Sequence, residues 1–529
     1  MKKVKIIVLT ALLSCLTLTV SCKKDKKGEV TANTEVHDHD EETIPIDKSQ
    51  FDAFFAKYPE FKEYREDINK LYTEHNHYVW HEKRGLIEFA EVLFNRVNQL
   101  PVTEGVPNKM PYKEKLNDLF YNTGRGDKPD VESELLISSM YFYYTKKVLS
   151  GLDASKSRQT GWYLPRDKMD YVAYLDTLMQ DPKLIKEDKT ENYKQYYNLR
   201  KGLQKYRNIE KNGGWGTINL GEGVKSLKEG DSAAAVAQLR TRLYKEGYLK
   251  NDSKKAVFDS ELTNALKLYE EKHDREYDGK VTADLIKDLN IPVRERIRAI
   301  VVNMERCRWL PSELNDSKEH IMVNIPSYML VYTRDGKPFL TSNVVVGKEL
   351  NKTVVFSGDI SYLVFAPYWN VPNSILKNEI QPAIAKNPNY LAQNDMEWHG
   401  ERVRQRPGPK NALGKVKFMF PNSNNIYLHD TPAKSLFNRD ERAFSHGCVR
   451  VEKARDLAVA IMKKDAGWSE SKVDAAMNAG SESSQPLKQK IPVYITYFTA
   501  WADEDGNVSF YEDVYKRDDR LAHLLYTSK

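Results

Sequence analysis

Ala443-Phe444-Ser445-His446-Gly447-Cys448-Val449-Arg450-Val451, with Tyr427-Leu428-His429-Asp430-Thr431-Pro432 upstream, is the stretch from which both fold and chemistry are read. A cysteine is an effective nucleophile only as its thiolate, and a free thiol, with a pKa of about 8.5, needs a histidine or a local positive field to reach that form. His429 and His446 both stand ahead of Cys448, and spacing alone permits either as the base. Gly447 permits a turn closed to larger residues, which aims the Gly447 and Cys448 amides at a developing oxyanion. Tyr427 lies two residues from His429 and shares its face if the strand continues.

Outward from this stretch the hydrophobic period is that of strands. Ile321–Ile325, Met329–Tyr332 and Ser342–Gly347 are β-branched runs, with a hairpin turn predicted at Arg334-Asp335-Gly336-Lys337. Ile491–Phe498 and Val508–Tyr511, around Glu504-Asp505-Gly506-Asn507, add a hairpin, so a mainly β domain is expected over about 319–515. Between Phe365 and Lys417 lies an insertion rich in proline and asparagine, and a long segment of this kind over a β core reads as a lid.

Earlier in the chain the period is helical. Phe51, Phe54, Phe55, then Leu86, Phe89, Ala90, Leu93, Phe94, Val97, and later Leu135, Leu136, Met140, Tyr143 and Tyr144 recur at three and four residue steps, with breaks expected at Pro101, Pro107, Pro111 and Gly151. His75, His77 and His81 read as surface or packing histidines. A second helical unit runs from Ser226 to about Leu289, with Val236, Leu239 and Leu243 on one helix and Leu262, Ala265, Leu266 and Tyr269 on the next. Asn303 to Pro311 closes a connecting helix, on which Cys307 is a packed thiol.

The order His429, Ser445-His446-Gly447-Cys448, Val449, Arg450 closely resembles the L,D-transpeptidase (YkuD-type) signature. The resemblance implies Cys448 as nucleophile and His429 as the general base of a thiolate–imidazolium pair. It gives His446 a part in shaping the site and makes Arg450 a brace or a substrate contact. It extends to Gly161-Trp162-Tyr163-Leu164-Pro165, Arg406-Pro407-Gly408-Pro409 and Thr499-Ala500-Trp501, which look like the large, scaffold-containing branch of these enzymes. Residues 226–289 resemble a three-helix peptidoglycan-binding domain through Gly230-Asp231, the Val236 helix and the Asp278-Gly279 turn. In that branch the insertion, about 366–416, is a substrate-capping subdomain. Trp369, Asn370, Arg404 and Arg406 are then candidates to hold the acidic stem peptide, beside Tyr427, Ser445 and Arg450.

The chain has 529 residues, which predicts about three structural units. Its 81 basic and 75 acidic side chains nearly balance, at +6, which argues against a nucleic-acid partner. Cysteines at 15, 22, 307 and 448 are too few and scattered for a disulfide framework or a zinc cluster. Met1-Lys2-Lys3 followed by apolar Ile6–Val20 reads as an export signal over 1–22, and Thr19-Val20-Ser21-Cys22 resembles a bacterial lipobox that makes Cys22 a lipid anchor. Residues 23–50 read as a charged tether, with His37 and His39 solvated in it.

The expectation is a multidomain α+β protein. Its parts are a helical scaffold (51–218), a peptidoglycan-binding-like module (226–289) and a mainly β catalytic domain with a capping insertion (297–529). The expected activity is acylation of Cys448 by a peptidoglycan tetrapeptide stem, release of D-alanine and formation of 3→3 cross-links, without cofactor or metal. Carbapenem acylation of Cys448 follows from the same resemblance, and a periplasm-facing, membrane-anchored location follows from Cys22. Transfer to water (L,D-carboxypeptidase) or to a free D-amino acid uses the same site; a catalytically silent wall-binding scaffold is the alternative of another class.

Overall fold

Glu319-His320-Ile321-Met322-Val323-Asn324 opens the large sheet, and all four of its central residues are buried, as a strand covered on both faces requires. The protein is described here from a computed structural model, which covers residues 43–122, 128–166, 168–186, 192–273 and 275–527. Cys22, the export signal and most of the tether lie outside the described residues.

Nine strands form the sheet: β1 Glu319–Asn324, β2 Met329–Arg334, β3 Lys337–Gly347, β4 Ser357–Phe365, β5 Val416–Met419, β6 Leu428–His429, β7 Ala443–Ser445, β8 Val449–Val451 and β9 Ser483–Thr496. The order β3-β8-β6-β5-β4-β9-β1-β2 closes on itself because β2 also pairs with β3, which removes the open edges of a barrel; β7 adds to the tip of β3. The β2–β3 hairpin turns where expected, with Asp335 and Gly336 at φ 52 and 73°. The later hairpin does not join this barrel: Val508–Phe510 pairs only with Ala500–Ala502, and the large sheet ends at Thr496. Phe365 pairs with Val416, so the insertion leaves and re-enters the barrel at one point.

The N-terminal region is helical apart from a short hairpin, His81–Glu82 with Gly85–Leu86. Val131–Thr145 runs through its middle and is buried almost all round, as a helix without a polar face must be. Pro101 does not break the chain as predicted; it sits inside the helix Glu88–Thr103, close to its end. His81 is a packing histidine, its Nδ1 2.7 Å from the buried Glu134 carboxylate. The smaller module contains helices Ala234–Glu246, Ser260–Lys272 and Ala283–Leu289 around its own core, clipped by Ser226–Lys228 paired with Lys280–Thr282.

Two helices hold the barrel to the N-terminal region. Gln195–Lys211 and Val293–Cys307 contribute Leu199, Leu203, Ile300, Val301 and Met304 to the same apolar core as the barrel strands. Beside them the buried Arg308 guanidinium pairs with Glu305 at 3.0 Å and Glu104 at 3.3 Å, so its charge is compensated within the interior. Cys307 is fully buried, and burial pushes its thiol well up, which fits a packed and inert cysteine. Among the described residues no helix is long and apolar enough to cross a membrane.

Candidate active site

Strand β6 is two residues long, and its neighbours decide what His429 meets. On one side it pairs antiparallel with β5, setting Lys417 opposite His429; on the other it runs parallel to β8, setting Arg450 opposite His429. Paired residues in adjacent strands project to the same face, so the imidazole stands between two cationic side chains. Its Nδ1 lies 2.5 Å from the Asp430 carbonyl oxygen. That acceptor assigns the proton to Nδ1 and leaves the lone pair on Nε2. Burial, then the Arg450 charge, lowers the imidazole pKa to about 3, so His429 is neutral at physiological pH.

The loop that carries Cys448 joins β7 to β8. Ser445 Oγ donates to the Cys448 carbonyl at 2.6 Å and accepts the Gly447 N–H at 3.1 Å, pinning the turn from inside. Gly447 has φ 119°, a conformation that side chains rarely adopt. In the absence of substrate the Gly447 amide donates to Ser445. Below the turn, Thr353 Oγ1 donates to the Gly447 carbonyl at 2.8 Å and accepts the Gly347 N–H at 2.9 Å. Tyr515 OH, from the C-terminal segment, donates to the Gly347 carbonyl at 2.6 Å.

Cys448 Sγ lies 3.6 Å from the Asn425 carbonyl oxygen. Asn422 shapes that loop, its amide donating to the Phe420 and Ile426 carbonyls at 2.6 and 2.8 Å. Burial pushes the Cys448 thiol up, opposed by hydrogen bonding from Tyr427 and by the charges of Arg450 and Lys417. Burial thus favours the neutral form of both groups, where the resemblance implies a preformed thiolate–imidazolium pair. Tyr427 flanks both groups, its ring 5.6 Å from that of His429.

A cavity of about 530 Å³ opens above the thiol, and Trp369, Asn370, Tyr427, His429, Ser445, His446, Cys448 and Arg450 all line it. Eight of the expected site residues are thus brought together, from the barrel and from the insertion. The insertion is a folded lid: a helical stretch from Asn373 to Lys386 and three short strands enclose Val371, Ile375, Leu376, Ile380, Met396 and Val403. His446 Nε2 reaches Glu379 on this lid at 2.8 Å, tying the Cys448 loop to its cover.

Arg404 and Arg406 do not line the cavity. Both share the single carboxylate of Glu397, at 2.6 and 2.7 Å, and Arg404 also stacks on Tyr368, so both side chains are held within the lid. Arg402, two residues earlier on the same strand, is the lid cation that does line it. Arg450 supplies a second, with its Nε buried and lacking a hydrogen-bond partner. Sequence reasoning missed Arg402, Glu379, Asn425 and Lys417. Of these only Lys417, a lone charge within the apolar run Val416–Met419, carries a local signal. Among the described residues no group of three or more His, Cys, Asp and Glu side chains is placed to hold a metal ion.

A barrel with a cysteine and a neutral histidine under a folded lid, set on a helical scaffold with a small three-helix module, defines the class. Comparison with known proteins agrees. Residues 318–474 match the family model described as the L,D-transpeptidase catalytic domain (YkuD), residues 66–203 the Scaffold domain, and residues 232–289 the "Putative peptidoglycan binding domain". The chain is thus similar, span by span, to a YkuD-type catalytic domain, a Scaffold domain and a putative peptidoglycan-binding domain. A curated relative from Haemophilus influenzae, "Putative L,D-transpeptidase", is 37% identical over 243 residues, 42% of this chain and 48% of that protein. The match therefore spans about half the length of that relative. Among solved structures, L,D-transpeptidase 3 from Mycobacterium tuberculosis in complex with a faropenem-derived adduct aligns at 11% identity over 34% of this chain and 60% of that one, with a TM-score of 0.20. The L,D-transpeptidase from Xylanimonas cellulosilytica aligns at 11% identity over 52% and 99%, with a TM-score of 0.18.

Proposed function

We propose that this chain is a cysteine L,D-transpeptidase that cross-links peptidoglycan stems. The observation that carries the reading is one cavity holding Cys448, a neutral His429 with its lone pair on Nε2, and the cations Arg402 and Arg450. A tetrapeptide stem is rich in carboxylates, and a cavity with one cation on its floor and one on its lid suits such a donor. As Cys448 attacks the carbonyl between the third residue and the terminal D-alanine, its proton passes to His429. The tetrahedral intermediate collapses when the imidazolium gives that proton to the departing D-alanine amine, leaving a thioester. The side-chain amine of a neighbouring stem then attacks the thioester, His429 takes its proton, and the 3→3 amide forms as the thiol is restored. The Cys448 amide, together with the Gly447 amide once it leaves Ser445, is the backbone donor for the oxyanion. The lid favours an amine over water by covering the thioester.

The test is to incubate the chain from residue 23 with disaccharide-tetrapeptide and weigh the products, beside Cys448→Ala. The expected product is a dimer lighter than two monomers by one D-alanine, absent with the variant. Tripeptide alone would make the chain a carboxypeptidase, and label exchange with free D-amino acids alone would make it an exchange enzyme. Absence of any Cys448-dependent product, with sedimentation on cell wall intact, would leave a binding scaffold. The basic start, the apolar run 6–20 and Cys22 support a lipid-anchored, periplasm-facing location. Full-length Cys22→Ala is then expected to leave the membrane fraction, and a variant that stays there would refute the anchor.

A further inference from the structure

We propose that Lys417 is an electrostatic positioning residue of the catalytic pair, acting with Arg450 from the opposite side of His429 to favour negative charge on Cys448 and a neutral imidazole at rest. The register carries this: Lys417 and Arg450 are the two cross-strand partners of His429, one on each side of a two-residue strand. The Lys417 side chain extends along the Tyr427 ring, its ammonium 5.7 Å from the ring centre, and Tyr427 in turn lines the cavity beside Cys448. Among the described residues no carboxylate lies within ion-pair distance of that ammonium. Burial lowers the Lys417 pKa, while Glu482 and Cys448 act in the opposite direction, so its charge is felt at the thiol. It is felt at His429 as well.

The other charged or titratable groups around the pair are few. Arg450 faces it from β8, His446 from the Cys448 loop and Arg402 from the lid. Tyr427 and Asp430 flank His429 along its own segment, and the Asp430 carboxylate is engaged by the Lys415 N–H and by Lys434, at 2.9 and 2.8 Å. Lys417 is therefore a cation of the pair that substrate carboxylates need not neutralise. Its effect has two parts. A neighbouring positive charge stabilises a thiolate, and it makes an imidazolium a stronger acid. The second part speeds the handover of the Cys448 proton from His429 to the departing amine, once the carbonyl has been attacked.

The inference takes its catalytic meaning from the transpeptidase reading, but its test does not use substrate. Thiolate at Cys448 is followed by ultraviolet absorbance and by the rate of iodoacetamide alkylation against pH, with Cys448→Ala as the blank that removes any signal from Cys307. Lys417→Met is expected to shift the titration upward by about one pH unit, which is tenfold less thiolate at a given pH. Lys417→Arg is expected to restore the wild-type curve. Lys417→Gln, shorter and polar, serves as a second neutral variant should the methionine protein fail to fold. A folded Met or Gln variant that titrates like wild type would overturn the proposal, even with a lowered melting temperature, because a purely structural lysine moves stability and leaves the thiol alone. A missing cross-linked product with a shifted titration would instead defeat the transpeptidase reading and leave Lys417 in place.

Discussion

His429→Gln is expected to slow Cys448-dependent D-alanine release from disaccharide-tetrapeptide by about 10³-fold at pH 7, the size of a lost general base. Glutamine is neutral, like the resting imidazole, and can donate to the Asp430 carbonyl, so the strand and its pairing to Lys417 and Arg450 should persist. What disappears is the Nε2 lone pair. The pH profile separates this account from a preformed ion pair. With the imidazole pKa near 3, the base is already neutral at pH 5, and the wild-type rate should be nearly flat from pH 5 to 8. A histidine of ordinary pKa would lose activity as pH falls through about 6.5. An acid limb centred there, or a glutamine variant within tenfold of wild type, would defeat the assignment of His429 as a neutral base held low by burial and Arg450.

The chemistry of this site was legible in the sequence because it is local. Cys448, His446, Ser445 and Gly447 are consecutive, and His429 and Tyr427 lie within one short strand and its approach. The β-branched runs of β1 to β3 were legible for the same reason: a strand writes its period into a few adjacent residues. What escaped is set by distance along the chain. Thr353 and Tyr515, which clamp the nucleophile loop, are 94 and 168 residues from the glycines they bind. Nothing in either neighbourhood marks a threonine or tyrosine as part of a catalytic loop. The lid arginines show a subtler limit. Arg402, Arg404 and Arg406 are alike in composition, and the placement of Glu397 on the adjoining strand decides which two share its carboxylate, while Arg402 lines the cavity. The two-residue strand of His429 has no period to read at all, and its identity comes from neighbours that the sequence does not join to it.

Gly347→Ala is expected to damage stability and catalysis together, although Gly347 is not a reacting group. Its need for glycine is one of space: a Cβ there would stand 2.1 Å from the Asn351 carbonyl oxygen, 2.9 Å from the Thr353 nitrogen and 3.1 Å from the Gly447 Cα. All three are backbone atoms, so no rotamer change relieves the clash and the 351–353 segment or the nucleophile turn must move. Either movement stretches the Gly347–Thr353, Thr353–Gly447 and Tyr515–Gly347 bonds, which are the supports beneath Cys448. Overpacking of this kind costs about 3 kcal/mol, read as a lower midpoint in denaturant. A displacement of the thiol near 1 Å lowers the rate by about 10²-fold, read as D-alanine release at a temperature where circular dichroism shows the variant folded. Thr353→Ser keeps the hydroxyl that links the two glycines and should remain close to wild type in both measurements. A Gly347→Ala protein with wild-type stability and rate would mean that the loop tolerates movement, and that the aim of Cys448 is set from the lid side, through His446 and Glu379, rather than from the barrel beneath it.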